Sequence, residues 1–98
     1  MMFLQFDLGL ERENDLYHFG YMYNFIETNI ESMFEKCTKF NQPINNWDVS
    51  NVTIMSWMFS GCKSFNQDIS NWNVSKVRYS EKMFSNCPIE EKYKPKFS

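Results

Sequence analysis

The sequence predicts an α/β solenoid in which each 25-residue coil carries one short strand and one short helix. Three observations favour this fold class: a gap-free internal repeat, an apolar stripe at helical spacing inside each repeat, and a short extended stretch after it. The chain has 98 residues, which is enough for one domain at most.

The internal repeat is the strongest signal. Residues 33–57 align with residues 58–82 without a gap, and a third unit opens with Met83, Phe84 and Cys87. The identical pairs are Met33/Met58, Phe34/Phe59, Cys37/Cys62, Phe40/Phe65, Asn41/Asn66, Gln42/Gln67, Ile44/Ile69, Asn46/Asn71, Trp47/Trp72, Val49/Val74, Ser50/Ser75 and Val52/Val77. Because one such unit cannot enclose its own apolar side chains, stacked units are expected to share a continuous core.

The stretch SNVTIMSWMFSGC, which begins at Ser50, predicts the short helix. Its apolar residues at helical spacing are Val52, Met55, Met58, Phe59 and Cys62. Ser50 stands at the N-cap position, and Gly61 suits a left-handed residue after the last turn. Asn86 holds the equivalent place in the third unit and tolerates the same conformation. After the helix, Ile69, Trp72 and Val74 fit a short extended segment.

The repeat divides the chain into three parts. Residues 33–87 are the predicted repeat solenoid, and residues 1–32 a degenerate N-terminal coil or cap. Residues 88–98 are a C-terminal cap or tail, which begins at Pro88, where the last helix must end. The tail is expected to fold back over the open end of the stack. Its candidate plugs are Ile89, Tyr93 and Phe97.

Charge and hydropathy argue against two classes of partner. The formal net charge is −2, and no lysine or arginine stripe offers a footprint for phosphates, so nucleic acid is not expected as a partner. The lysines near the end alternate with acidic residues and predict a solvated tail. No apolar run approaches a membrane span, and no signal peptide is visible, which favours an intracellular location.

The unit resembles the BspA-type leucine-rich repeat, in the DUF285-like variant found in mycoplasma surface proteins and in giant viruses of amoebae. The resemblance covers about residues 30–90 and rests on the pattern MFxxCxxFNQxIxxWxVSxV. It implies a solenoid with one strand-like segment and one helix per coil. Some relatives are surface adhesins or antigens, and the resemblance implies no catalytic residue. If the protein is viral, as the resemblance allows, the expected intracellular location is the host cytoplasm.

The cysteines recur at the repeat period and not at a metal-ligand spacing. Cys37, Cys62 and Cys87 are therefore expected to form a structural row of buried free thiols, with a disulfide or a metal site as the alternatives. No cofactor or metal is expected. Replacement of Cys62 by serine should destabilise the fold, because it buries a hydroxyl without a ready partner.

Trp47 and Trp72 form the pair most open to a binding role. If both indoles point outward they make a platform for a sugar or a peptide, and if they point inward they belong to the core. Asp48 and Asn73 follow them directly and are the other candidate contacts. Phe40 with Phe65 and Asn41 with Asn66 are expected to form two further structural rows. The stacked amides of Asn41 and Asn66, like those of Gln42 and Gln67, are expected to satisfy backbone groups at a bend, with glycan or peptide contact as the alternative.

The sequence does not predict an enzyme. It lacks the nucleophile, phosphate-loop and zinc motifs, and its single histidine, His18, has no partner for general-base chemistry. The predicted function is a non-enzymatic repeat module that recognises a protein or a surface glycan. The alternative is a purely structural unit: a solenoid that stacks on itself through its ends, or the remnant of a longer array without a ligand.

Overall fold

Backbone hydrogen bonds between distant segments, rather than long helices or strands, order this chain. The computed structural model describes residues 28–97. Within that range the one helix is the 3-10 helix Glu91–Tyr93, and isolated parallel bridges join Asn29 to Ile54 and Ile54 to Tyr79. The bridged residues are 25 positions apart, so equivalent residues of successive repeat units lie beside one another.

Three equivalent segments carry this pairing: turn segment 1 (residues 29–37), turn segment 2 (54–62) and turn segment 3 (79–87). Every second N–H of one segment donates to a carbonyl of the next, over 2.7–3.1 Å. From segment 1 to segment 2 the bonds are Ile30 to Ile54, Ser32 to Ser56, Phe34 to Met58 and Lys36 to Ser60. From segment 2 to segment 3 they are Met55 to Tyr79, Trp57 to Glu81, Phe59 to Met83 and Gly61 to Ser85.

The remaining N–H groups of the turn segments close tight turns. In turn segment 2 the N–H of Met58 donates to Met55, that of Ser60 to Trp57, and that of Cys62 to Phe59. Where the sequence predicts a helix over residues 52–62, the structure therefore has consecutive turns. An α-helix directs its N–H groups along its own axis, whereas here half of them point sideways and bond the neighbouring segment.

Two residues of each turn segment have positive φ. They are Ser32 and Lys36, Trp57 and Gly61, and Lys82 and Asn86, with φ from 57° to 77°. A positive φ at the third residue is the mark of a type II turn. Gly61 and Asn86 adopt the left-handed conformation that the sequence predicts for them. Because the turns with positive φ repeat every four residues, their apolar side chains recur at nearly the helical spacing, which explains the predicted helix.

The core runs through all three units. Stacked phenyl rings form its centre: Phe34 lies 4.1 Å from Phe40, and Phe59 lies 4.3 Å from Phe65, between ring centroids. The two pairs lie on each other, since Phe34 is 5.6 Å from Phe59 and Phe40 is 5.5 Å from Phe65. Phe84 continues the first column at 5.7 Å from Phe59. Each ring therefore packs on the equivalent ring of the next unit.

The third unit continues past Cys87. The N–H of Glu90 donates to Asn66 Oδ1 over 2.9 Å, as the N–H of Asn66 donates to Asn41 Oδ1 over 2.9 Å. Ile89 is buried beside the core, and Tyr93 packs against it. Residues 89–93, predicted as part of a cap or tail, thus lie in register with the second unit, one residue short of the full period. Phe97, the third candidate plug, is exposed.

Candidate functional site

The two tryptophans of the predicted platform point into the protein. Trp72 is only 5% exposed, and its indole N–H donates to the carbonyl of Ile44 over 3.1 Å. Trp47 is half-buried and packs on Phe34 at 5.9 Å between ring centroids. The inward orientation, one of the two that the sequence left open, is thus the one in the structure, and it leaves no pair of stacked indoles for a ligand.

Asp48 and Asn73 are exposed, but their side chains serve their own turns. Asp48 Oδ1 accepts hydrogen bonds from the N–H of Ser50 at 3.0 Å and from its hydroxyl at 2.6 Å. These two bonds hold the pKa of Asp48 below its ordinary value. Asn73 Oδ1 accepts from the N–H of Ser75 at 3.0 Å. Both residues therefore have a local structural role of the Asx-turn kind.

The row of amides is also bonded internally. The backbone N–H of Asn66 donates to Asn41 Oδ1, and its side-chain NH₂ donates to Glu90 Oε2 at 3.0 Å. The latter bond is the main reason why the pKa of Glu90 is lowered. The side-chain NH₂ of Gln67 donates to Asn41 Oδ1 at 2.9 Å. These amides satisfy one another and the backbone across the units, which is a structural use of the side chains.

The cysteines are free thiols that lie against the core. Cys62 donates its S–H to the carbonyl of Phe34 at 3.0 Å, and Cys87 lies 3.6 Å from the carbonyl of Phe65. Burial, followed by the neighbouring Cys37 and Cys87, raises the pKa of the Cys62 thiol. Burial also raises the pKa of Cys87. A protonated thiol is a poor nucleophile and a poor metal ligand, so these positions fit packing better than chemistry.

Metal-binding clusters and catalytic histidines find no support in the described range. Among residues 28–97, no three histidine, cysteine or acidic side chains are grouped to hold a metal ion. His18 lies outside the described residues. The same range has no helix that is long and apolar enough to cross a membrane.

Two of the exposed aromatic residues in the described range belong to the turn segments. Trp57 is 36% exposed and Tyr79 is 53% exposed. Arg78, also exposed, precedes Tyr79, and Lys82 Nζ lies 5.8 Å from the centroid of the Trp57 ring. We call these four residues the turn face. It combines two aromatic side chains with two cations on a backbone held by inter-segment hydrogen bonds.

The turn face was not predicted from the sequence, although one signal for it was present. Trp57 occupies a position that is serine in the first unit and lysine in the third, namely Ser32 and Lys82. A large apolar side chain at a position that is otherwise polar is a sign of exposure. Its φ of +63° places it at the third residue of a type II turn, outside the apolar stripe.

Residues 22–93 match the family model described as Mycoplasma protein of unknown function, DUF285. The chain belongs to this family. The match covers more than half of the DUF285 chain and includes all three turn segments. Neither the curated proteins nor the solved structures contain a match to it.

Proposed function

We propose that this DUF285 protein is a non-enzymatic recognition module, a short solenoid of the BspA-type leucine-rich repeat kind that binds a partner protein through its turn face. The hydrogen bonds between turn segments join residues at a constant separation in sequence, which supports the solenoid. The observation that carries the binding role is the exposure of Trp57 and Tyr79, two large aromatic side chains of the turn segments.

The composition of the turn face favours a protein partner. Tryptophan, tyrosine and arginine are the residues that contribute most binding energy in protein interfaces, and Trp57, Tyr79 and Arg78 supply one of each. Lys82, beside the Trp57 ring, adds a second cation that can steer an acidic partner. A surface glycan is the alternative partner, since an exposed indole can also stack on a sugar ring.

The backbone beneath the turn face is prepared for binding. The N–H of Trp57 donates to Glu81 at 3.1 Å, and its carbonyl accepts from Ser60 at 3.1 Å. Tyr79 is held by its bridge to Ile54. Because these residues are already ordered, a partner pays little conformational entropy at the backbone, and only the side chains must be fixed.

The test is affinity capture from the native host by the wild-type protein and by a Trp57→Ala/Tyr79→Ala double variant. The wild type should retain a partner of the turn face. The double variant should capture at least about tenfold less of it, because two central anchor side chains are lost. Circular dichroism and urea unfolding of each bait establish that the variants are folded.

The matched control is Asn73→Ala, which removes an exposed side chain of the face that the sequence predicts. Capture that survives Asn73→Ala and fails with the double variant supports the turn face. Equal capture by the wild type and the double variant refutes it. The glycan alternative is tested on a glycan array. If the wild type captures no protein but binds glycans on the array, and Trp57→Ala weakens that binding, the turn face is a sugar-binding surface.

A further inference from the structure

Among residues 28–97, no neighbouring segment lies along one edge of turn segment 3. The donors of segment 2 that bond segment 3 have equivalents 25 residues later, the N–H groups of Ser80, Lys82, Phe84 and Asn86. Within residues 28–97, none of these four donates to another backbone or side-chain group. Four outward N–H groups at two-residue spacing resemble the open edge of a sheet, which readily pairs with another extended chain.

A groove runs along this edge. Its volume is about 920 Å³, and turn segment 3 forms one wall while residues 91–97 form the other. Three of the four open donors belong to residues that line it, Ser80, Lys82 and Phe84. The free N–H groups and the groove are therefore parts of one site, with space for an added backbone.

The lining of the groove is basic and apolar. Lys82, Lys92, Lys94 and Lys96 contribute four cations against a single carboxylate, that of Glu91. Glu90 lies 3.6 Å from Lys92, and Glu91 lies 3.1 Å from Lys94. In the described range no acidic group is paired with the other two lysines. Phe84 and Phe97 supply apolar surface between the cations.

We propose that this groove binds an extended acidic segment of another protein, which adds a strand to the edge of turn segment 3. The carbonyls of the segment accept from the four open N–H groups, as the carbonyls of segment 3 accept from segment 2. Its carboxylates meet Lys82 and Lys96, and its alternate apolar side chains contact Phe84 and Phe97. This site goes beyond the proposed function: it shares Lys82 with the turn face but involves neither Trp57 nor Tyr79.

A second copy of the chain fits the edge less well. In the existing register, residues 31, 56 and 81 lie in one row, and the Ser56 hydroxyl donates to Glu81 Oε1 at 3.0 Å. Turn segment 1 of another copy, stacked in the same register, would place its Glu31 next to Glu81. Like charges directly opposite on neighbouring strands are destabilising. This like-charge contact counts against self-stacking, whereas a foreign segment can place an uncharged side chain opposite Glu81 and its carboxylates beside the lysines of the groove.

The direct test uses a defined probe: an eight-residue peptide of alternating glutamate and valine with blocked ends, titrated into the ¹⁵N-labelled full chain. We expect the amide signals of Ser80, Lys82, Phe84 and Asn86 to shift and to become protected from hydrogen exchange. The amides of Met55, Phe59 and Gly61 should be protected with or without the peptide. Two matched probes serve as controls, a lysine–valine peptide and a glutamate–valine depsipeptide whose ester carbonyls are weaker acceptors.

Two pairs of variants separate the backbone from the charge contribution. Ser80→Pro removes one open N–H, while Ser80→Ala keeps it, so only the first should weaken peptide binding, by about two- to tenfold. Lys96→Glu reverses a charge in the groove, and Lys63→Glu reverses an exposed lysine elsewhere. Only Lys96→Glu should weaken binding, by about three- to tenfold at low salt, with less effect at high salt.

The outcomes are decisive in both directions. Binding of the acidic peptide with protection of the four amides, and weaker binding of both control probes, supports the proposal. Three results overturn it: no binding by a chain whose segment 2 amides remain protected, equal binding of the acidic and basic probes, or protection of the four amides that rises with protein concentration without peptide. The last result would assign the edge to a second copy.

Discussion

Turn segments 2 and 3 contain the same Met-Phe-Cys pattern, yet the structure treats the two segments differently. Phe59 and Cys62 in segment 2 are fully buried, whereas Phe84 and Cys87 in segment 3 are only partly buried. The difference comes from the neighbours: within the part of the chain that the structure describes, segment 2 lies between two equivalent segments and segment 3 lies beside one. Burial in this protein is thus set by the position of a unit in the stack as much as by residue type.

The same contrast holds for the backbone. Segment 2 accepts hydrogen bonds from segment 1 and donates to segment 3. Segment 3 accepts these bonds from segment 2 but, within residues 28–97, donates to no segment on its other side. A repeat unit therefore has one donor edge and one acceptor edge, and a finite stack leaves a donor edge at its C-terminal end. This polarity makes the two ends of such a stack chemically different, even when the units have similar sequences.

The largest expected effect compares equivalent phenylalanines. Phe59 packs against Phe34, Phe65, Phe84 and Trp72, so Phe59→Ala should destabilise the protein by about 3–5 kcal/mol. Phe84→Ala should cost about 1–2 kcal/mol, because its ring is partly exposed and, besides Phe59, has only the Lys94 side chain over it, with Nζ 5.3 Å from the ring centroid. Urea unfolding of both variants measures the difference. Equal costs would show that segment 3 is as enclosed as segment 2.

The next effect concerns the left-handed positions. Gly61→Ala should cost about 1–2 kcal/mol, since Gly61 has φ of +77° and an added Cβ would lie 3.4 Å from Lys36 Cα and Cγ. Asn86→Gly, at the equivalent place in segment 3, should instead stabilise by up to about 1 kcal/mol. Thermal unfolding of the two variants tests the pair. A neutral Gly61→Ala would be incompatible with the left-handed backbone.

Cysteine replacement should give a smaller effect than expected from the sequence alone. Cys62 already donates to the carbonyl of Phe34, so the hydroxyl in Cys62→Ser has a partner, and we expect a cost of about 1 kcal/mol. Cys87→Ser should cost less, because Cys87 is partly exposed and its contact with Phe65 is longer. Chemical denaturation of both variants decides the order. A larger cost at Cys87 would contradict it.

The pH dependence of the unfolding free energy reports on the Cys62 thiol. Because burial raises the pKa of Cys62 in the folded chain, the unfolded chain loses this proton at lower pH. The contribution of the protonated Cys62 thiol to the free energy of unfolding is complete below the ordinary thiol pKa. It falls as the pH rises above that value, by up to about 1.4 kcal/mol per pH unit. Cys62→Ala should reduce the slope of the unfolding free energy against pH, measured by urea unfolding between about pH 8 and 10, near the ordinary thiol pKa. A slope unchanged by Cys62→Ala would exclude the thiol as its source.

The sequence was sufficient for some features because a repeat period and residue types determine them. A period of 25 residues brings Asn41 beside Asn66 and Phe40 beside Phe65, and both pairs are in contact. Glycine and asparagine at equivalent positions indicated left-handed backbone at Gly61 and Asn86. Such features depend on which residues recur and on the conformations that those residues allow.

Other features could not be read from the sequence. Consecutive four-residue turns and an α-helix place apolar residues at nearly the same spacing, so periodicity could not separate them. The orientation of Trp72 depends on the carbonyl of Ile44, which is a backbone group without a sequence signal. The open N–H groups of turn segment 3 are equally invisible, because every residue except proline carries that donor.

The three tryptophans occupy three environments: Trp72 is buried with its indole N–H bonded, Trp47 is half-buried, and Trp57 is exposed beside a lysine. Iodide, drawn to that cation, should quench the emission of Trp57 and leave that of Trp72. A single chain thus contains separate optical reporters of its interior and of its surface. Unfolding and partner docking can be followed in one cuvette without an added dye.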